Sequence, residues 1–151
     1  MFSKTETSAG KQAFWTAFGR YMQPVTGADG LPRKWLNYET GVHGLYIRVL
    51  LIGSNAYAGF EISDASGGLG AHQATLLTRT ATQLNTHTET DWDWIPVPDR
   101  PADSVFLGIQ VSGTSPMVQS NWPELISFFK RALLAMDAYW TETGFAFEML
   151  T

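Results

Sequence analysis

The residues of this chain able to do chemistry are its acids, its histidines and a few basic and aromatic side chains, and spacing decides what each group can do. A divalent-metal nuclease centre of the restriction type needs an acid, then an acid-x-lysine pair that holds the ion and orients water. None of the fourteen acids is followed two positions later by lysine: Glu61 leads into Ile62 and Ser63, Glu124 into Leu125 and Ile126. A self-contained nuclease of that kind is therefore not expected. No two of the three histidines, His43, His72 and His87, stand four apart, so no helical metal site is written into them. They read as turn or surface residues. Asp91, Asp93, Asp99 and Asp103 cluster around three prolines without the spacing of a calcium loop, and read as a solvated acidic loop. Gly67, Gly68 and Gly70 precede an expected helix, where backbone N–H groups can hold an anion. No Lys-Ser/Thr follows, which leaves a flexible connection rather than a phosphate cradle. No serine sits in a Gly-x-Ser-x-Gly elbow. The chain has no cysteine, so disulfides, thiolate catalysis and cysteine-held metals are excluded. No cofactor is implied.

One constellation survives, and it depends on strands. Residues 34–40 (KWLNYET) alternate, 45–52 are β-branched and apolar, and 56–64 form a third run, with turns at Gly41–Gly44 and Gly53–Asn55. If Thr40 faces Leu45 and Gly53 faces Ala56, side-chain alternation sorts the meander into two faces. Leu36, Tyr38, Leu45, Ile47, Val49, Leu51, Ala58, Phe60 and Ile62 make a core face. The other face carries Trp35, Asn37, Tyr46, Arg48, Tyr57 and Glu61, with Asn37, Arg48 and Glu61 in one row. Aromatics beside an arginine on an open sheet can stack planar groups or pair with another subunit. The plainer reading is a cross-strand Arg48–Glu61 ion pair under aromatic cover.

Helices must cover the core face. Phe14, Trp15, Phe18, Tyr21 and Met22 stripe a helix over 9–22, which Pro24 ends. A threonine-rich helix is expected up to about Asn85. The long helix, 121–140, carries Trp122, Ile126, Phe129, Leu133, Met136 and Trp140 at helical period and would span about 30 Å. Asn121, Pro123 and Glu124 supply its start signals. Between these lie a short edge strand at 92–97 and an inner strand at 104–112, with Val105, Leu107, Ile109 and Val111 pointing one way. Phe145, Phe147 and Met149 read as a tail that docks back on the body. The expected order is α-β-β-β-α-β-β-α: an α+β fold with about five antiparallel strands and helices packed on one face.

Composition agrees with one domain over 1–151, with 1–8 frayed. Hydrophobic residues are 44% and charged residues 16%, which excludes a disordered chain. The net charge of −4 weighs against a phosphate-gripping surface. No apolar run reaches membrane-spanning length, so a cytoplasmic protein without a membrane partner is expected.

The blocks Phe14-Trp15-Thr16-Ala17-Phe18-Gly19-Arg20-Tyr21-Met22, Trp35-Leu36-Asn37-Tyr38-Glu39-Thr40-Gly41, Tyr46-Ile47-Arg48 and Trp122-Pro123-Glu124-Leu125-Ile126-Ser127-Phe128-Phe129-Lys130, with Asp137, Trp140 and Phe147 beyond, resemble an uncharacterised bacterial domain-of-unknown-function family. The resemblance spans roughly residues 14–148. It implies no catalytic residues. It implies a context, since similar domains occur alone or at the C-terminal end of longer proteins, some with a restriction-endonuclease-like domain. Nucleic acid enters as a partner only through that context. The functional expectation is a non-enzymatic interaction module, homodimeric or bound to another protein through the outer sheet face. The alternative is a small-molecule binding domain with an apolar cavity between sheet and long helix.

Overall fold

A computed structural model describes residues 3–88 and 90–150. Helix α1 (Lys4–Met22) is followed by a 3-10 turn (Trp35–Asn37), strands β1 (Leu45–Ile52) and β2 (Asn55–Ile62), and helices α2 (Gly68–Thr80) and α3 (Thr82–Thr88). Strands β3 (Asp93–Trp94) and β4 (Val105–Val111) and the long helix α4 (Trp122–Glu148) complete it. The four strands form one antiparallel sheet in the order β1-β2-β4-β3. The fold is α+β, with four strands rather than five.

The missing strand is 34–40. Its alternation is real, but its polar tips have stronger claims elsewhere. Trp35 turns into the core and donates its indole N–H to the Val25 carbonyl at 2.9 Å. The Tyr38 hydroxyl donates to Asp137 of α4 at 2.6 Å. Leu36, expected on the core face, is exposed instead. The segment is thereby held against α4, and β1 is left as a sheet edge.

The hairpin β1–β2 turns at Gly53, whose φ of 59° is the left-handed conformation a two-residue hairpin asks of its first position. Ile52 pairs with Asn55 and Arg48 with Gly59, so the register lies two residues from the expected one. A shift of two preserves the faces. Leu45, Ile47, Leu51, Ala58, Phe60, Ile62, Leu107 and Ile109 join one buried cluster with Phe14 and Phe18 of α1, Leu77 of α2, Leu84 of α3, and Phe129, Leu133 and Met136 of α4. All four helices thus contribute to the core on the inner face.

Three further elements differ from expectation at their ends. Of residues 1–8, expected to fray, 1–2 lie outside the described residues and 4–8 are helical, because Ser3 and Glu6 form a reciprocal capping box at 3.1 and 3.2 Å. Asn121 makes no side-chain cap; its amide donates to the Ser115 carbonyl instead. The tail at 145–149 is no separate piece: α4 runs on to Glu148, burying Phe147 and leaving Phe145 exposed. The 92–97 strand is shorter than expected, reduced to Asp93–Trp94 at the β3 edge, while β4 is the inner strand expected.

Candidate functional site

The outer sheet face is built around a buried carboxylate. Glu61 is 2% exposed and sits on β2 opposite Tyr46. Arg100, from the loop after β3, clamps it with Nε to Oε2 at 2.6 Å and Nη2 to Oε1 at 2.7 Å. Arg48 adds Nε to Oε1 at 3.2 Å. Burial alone would raise the Glu61 carboxyl, but the hydrogen bonds and charge of Arg100, then of Arg48, outweigh it and hold the group below its ordinary value. Two arginines around one carboxylate leave a surplus positive charge. It resides on Arg48, the more exposed of the two cations at 37%, whose guanidinium lies 4.4 Å from the Tyr46 ring centroid.

The rest of this face is closed by packing. Gly59 and Gly108 are direct cross-strand partners, and the Phe106 ring occupies the space their missing side chains leave. A β-carbon on Gly59 or Gly108 would meet the Leu107 or Ala58 carbonyl oxygen first, and then the Phe106 ring at 2.7 or 2.6 Å. Phe106 and Tyr57 are both buried outside the main core cluster. Of the six expected outer-face residues, the structure therefore brings together Tyr46, Arg48 and Glu61, and places Tyr57 on the same face but buried. Trp35 belongs to the core. Asn37 is exposed at the end of the 3-10 turn, off the sheet, so the row Asn37–Arg48–Glu61 does not exist. The Arg48–Glu61 ion pair does form, diagonally rather than directly across.

The accessible feature is the edge of β1. The Ser63 N–H donates to the Gly44 carbonyl, while the Leu45 N–H and carbonyl bond to Val42 and Thr40 on the opposite side. Antiparallel strands alternate these directions residue by residue. Tyr46, Arg48 and Leu50 therefore turn their backbone groups to β2, and Ile47, Val49 and Leu51 turn theirs outward. Among the described residues no hydrogen bond meets those outward groups. They face an open cleft of about 620 Å³ between β1 and the segment 35–43, with Leu133 as its one contribution from α4.

That opposing wall is fixed by a residue the pattern reading did not assign a task. Asp137 is 1% exposed on α4. It accepts the Ala28 N–H at 2.6 Å, Arg33 Nε at 2.7 Å and the Tyr38 hydroxyl at 2.6 Å. Burial, then the bond to Asp137, pushes the Tyr38 phenol well above its usual range, so it stays a donor. A buried carboxylate with three donors from a 28–38 stretch ties that stretch to the helix. Thr40 extends the anchoring, accepting the Val42 N–H and donating to the Leu45 carbonyl at 2.8 Å. Only an acid inside the apolar period of α4, four residues after Leu133, signals this in the sequence. The Arg100–Glu61 clamp had no such signal, because 39 residues separate the partners.

Among the described residues, no three of His, Asp and Glu converge as metal ligands would. No helix is long and apolar enough to cross a membrane.

A family model described as Domain of unknown function (DUF4268) matches residues 10–143. The chain belongs to that family. The DUF4268 match takes in all four strands, the Arg48–Glu61–Arg100 cluster, the wall segment and Asp137. No curated protein and no solved structure matches the chain.

Proposed function

We propose that this DUF4268 chain is a non-enzymatic protein-interaction module that docks its partner along the free edge of β1, with Tyr46 and Arg48 as the adjoining side chains. One observation carries the reading: Ile47, Val49 and Leu51 present backbone groups that have no partner among the described residues to an open, pre-shaped cleft. Native sheets usually blunt such edges with charge, proline or a covering element. Here β1 holds one charge and no proline, and the segment beside it stands off as a wall. Main-chain pairing along an edge supplies affinity and alternate side chains supply specificity. The partner is another protein or a second copy of this chain. A link to nucleic-acid-processing or defence systems in a bacterial cytoplasm is supported by the family resemblance only, and the net charge of −4 favours contact through a protein over contact through phosphates.

Val49→Pro tests this. Proline at an edge position removes an outward N–H and leaves the β1–β2 ladder intact. Val49→Ala controls for the lost packing. Selection from a displayed library of random peptides should enrich binders on the wild type and on Val49→Ala, and none on Val49→Pro. Equal enrichment on a folded Val49→Pro variant contradicts the reading.

A further inference from the structure

We propose that the edge of β1 takes an extended, antiparallel peptide segment carrying a carboxylate opposite Arg48, flanked by apolar residues opposite Ile47 and Val49. The inference rests on the docking reading above and adds the chemistry of the partner.

Three observations converge on it. First, Arg48 is the charge left over on the outer face. Arg100 already satisfies both oxygens of Glu61 at 2.6 and 2.7 Å, and Arg48 gives it only Nε at 3.2 Å. The terminal nitrogens of Arg48 have no acceptor among the described residues, and its side chain is 37% exposed. Second, the strand geometry brings a partner side chain to it. Arg48 is hydrogen-bonded to β2, so on the free side it occupies a non-hydrogen-bonded position, where facing side chains come closest, with Cα atoms about 4.5 Å apart. An acid there can accept from the free end of the guanidinium. Third, residues opposite Ile47 and Val49 point to the other side of the sheet, where the cleft is lined by Ile47, Val49 and Leu133. That surface takes apolar side chains. The one acid lining the cleft, Glu39, stands on the wall and not on the strand.

The same observations disfavour a second copy as the occupant. Residues 45–52 contain no acid. Two β1 strands paired about Val49 set each Arg48 against a leucine, Leu50, which offers the terminal guanidinium nitrogens no acceptor. The wall at 35–43 also suits one extended chain better than the edge of another folded sheet.

The test uses fluorescein-labelled nine-residue peptides of alternating threonine and valine, with glutamate, glutamine or lysine at the centre. Anisotropy titrations are run on the wild type, Arg48→Gln and Val49→Pro at low and moderate salt. The wild type should bind the glutamate peptide best and the lysine peptide about three- to ten-fold more weakly. Arg48→Gln should collapse that ranking, and Val49→Pro should abolish binding of all three. If the three peptides bind the wild type equally, or the ranking persists in Arg48→Gln, the charge inference falls, while loss in Val49→Pro still supports edge docking. If no peptide binds the wild type, both fall. If light scattering shows a wild-type dimer that Val49→Pro converts to monomer, a second copy holds the edge and the carboxylate partner is overturned.

Discussion

Glu61 shows how a single residue reads differently as letter and as structure. As a letter it is an acid on an alternating strand, with Arg48 as its natural partner. In the structure its principal partner is Arg100, and Arg48 keeps only an Nε contact to it at 3.2 Å with its side chain partly exposed. The consequence for stability has a definite sign. The folded Glu61 carboxyl titrates below its ordinary value of 4.5, so its contribution is complete above that pH and is lost as pH falls through the lowered folded value. Thermal unfolding followed from pH 6 down to about 3 should show a steep loss of stability in the wild type over the acid end. Glu61→Gln should start less stable at pH 6 and lose less on acidification. An identical slope in both would mean that the ion cluster does not carry this share of the acid sensitivity. Asp137 belongs to the same scale. Its identity was readable, but its three donors lie 99 to 109 residues away, and no local pattern announces such partners.

At the scale of elements, what the sequence made legible was periodicity. The inner faces of β1, β2 and β4 followed from alternation and survived a two-residue slip in register, because side-chain direction depends only on parity. The stripe of α4 followed from helical spacing, and its eight extra residues at the C-terminal end escaped because Gly144 interrupts an otherwise helical run. Gly144 is accommodated there: the Trp140 indole lies where its side chain would stand, 2.9 Å from a β-carbon. Residues 34–40 were misread for a different reason. Alternation states which side chains point together, and it cannot state that Tyr38 is hydrogen-bonded to a distant aspartate. The outer face holds the clearest element-scale test. Gly59 and Gly108 face each other beneath the Phe106 ring, and a β-carbon on Gly108 would meet the Ala58 carbonyl oxygen as well as the ring at 2.6 Å. Gly108→Ala must therefore part the β2–β4 backbones besides moving the ring, and should cost at least about 1–3 kcal/mol in denaturant unfolding. A Gly113→Ala control, at a turn with open space but positive φ, separates backbone strain from overpacking. An unchanged unfolding midpoint in Gly108→Ala would show that neither the β2–β4 backbone approach nor the Phe106 packing is tight there.

At the scale of the molecule, sheet order decides what is available to a partner. β4 is internal, and β3 presents only two residues at the far edge. The eight-residue strand β1 is the long edge, and the segment that alternation assigned to it as a neighbour is tied to α4 through Asp137 instead. The same buried carboxylate thus leaves the edge free and shapes the wall opposite it. Removing one partner from a buried charge network of this kind typically costs about 3–5 kcal/mol, because the other is left uncompensated.

Residue-resolved amide exchange by NMR tests the open edge most directly, at a concentration where light scattering reports a monomer. The amides of Arg48 and Leu50 should exchange slowly, bonded to β2, while those of Ile47, Val49 and Leu51 exchange fast, producing an alternating record along one strand. Addition of a bound glutamate peptide should slow the fast set and leave the slow set unchanged. Uniformly slow exchange from Tyr46 to Leu51 in the free monomer would mean that the edge is already covered within the chain, and would contradict docking along it.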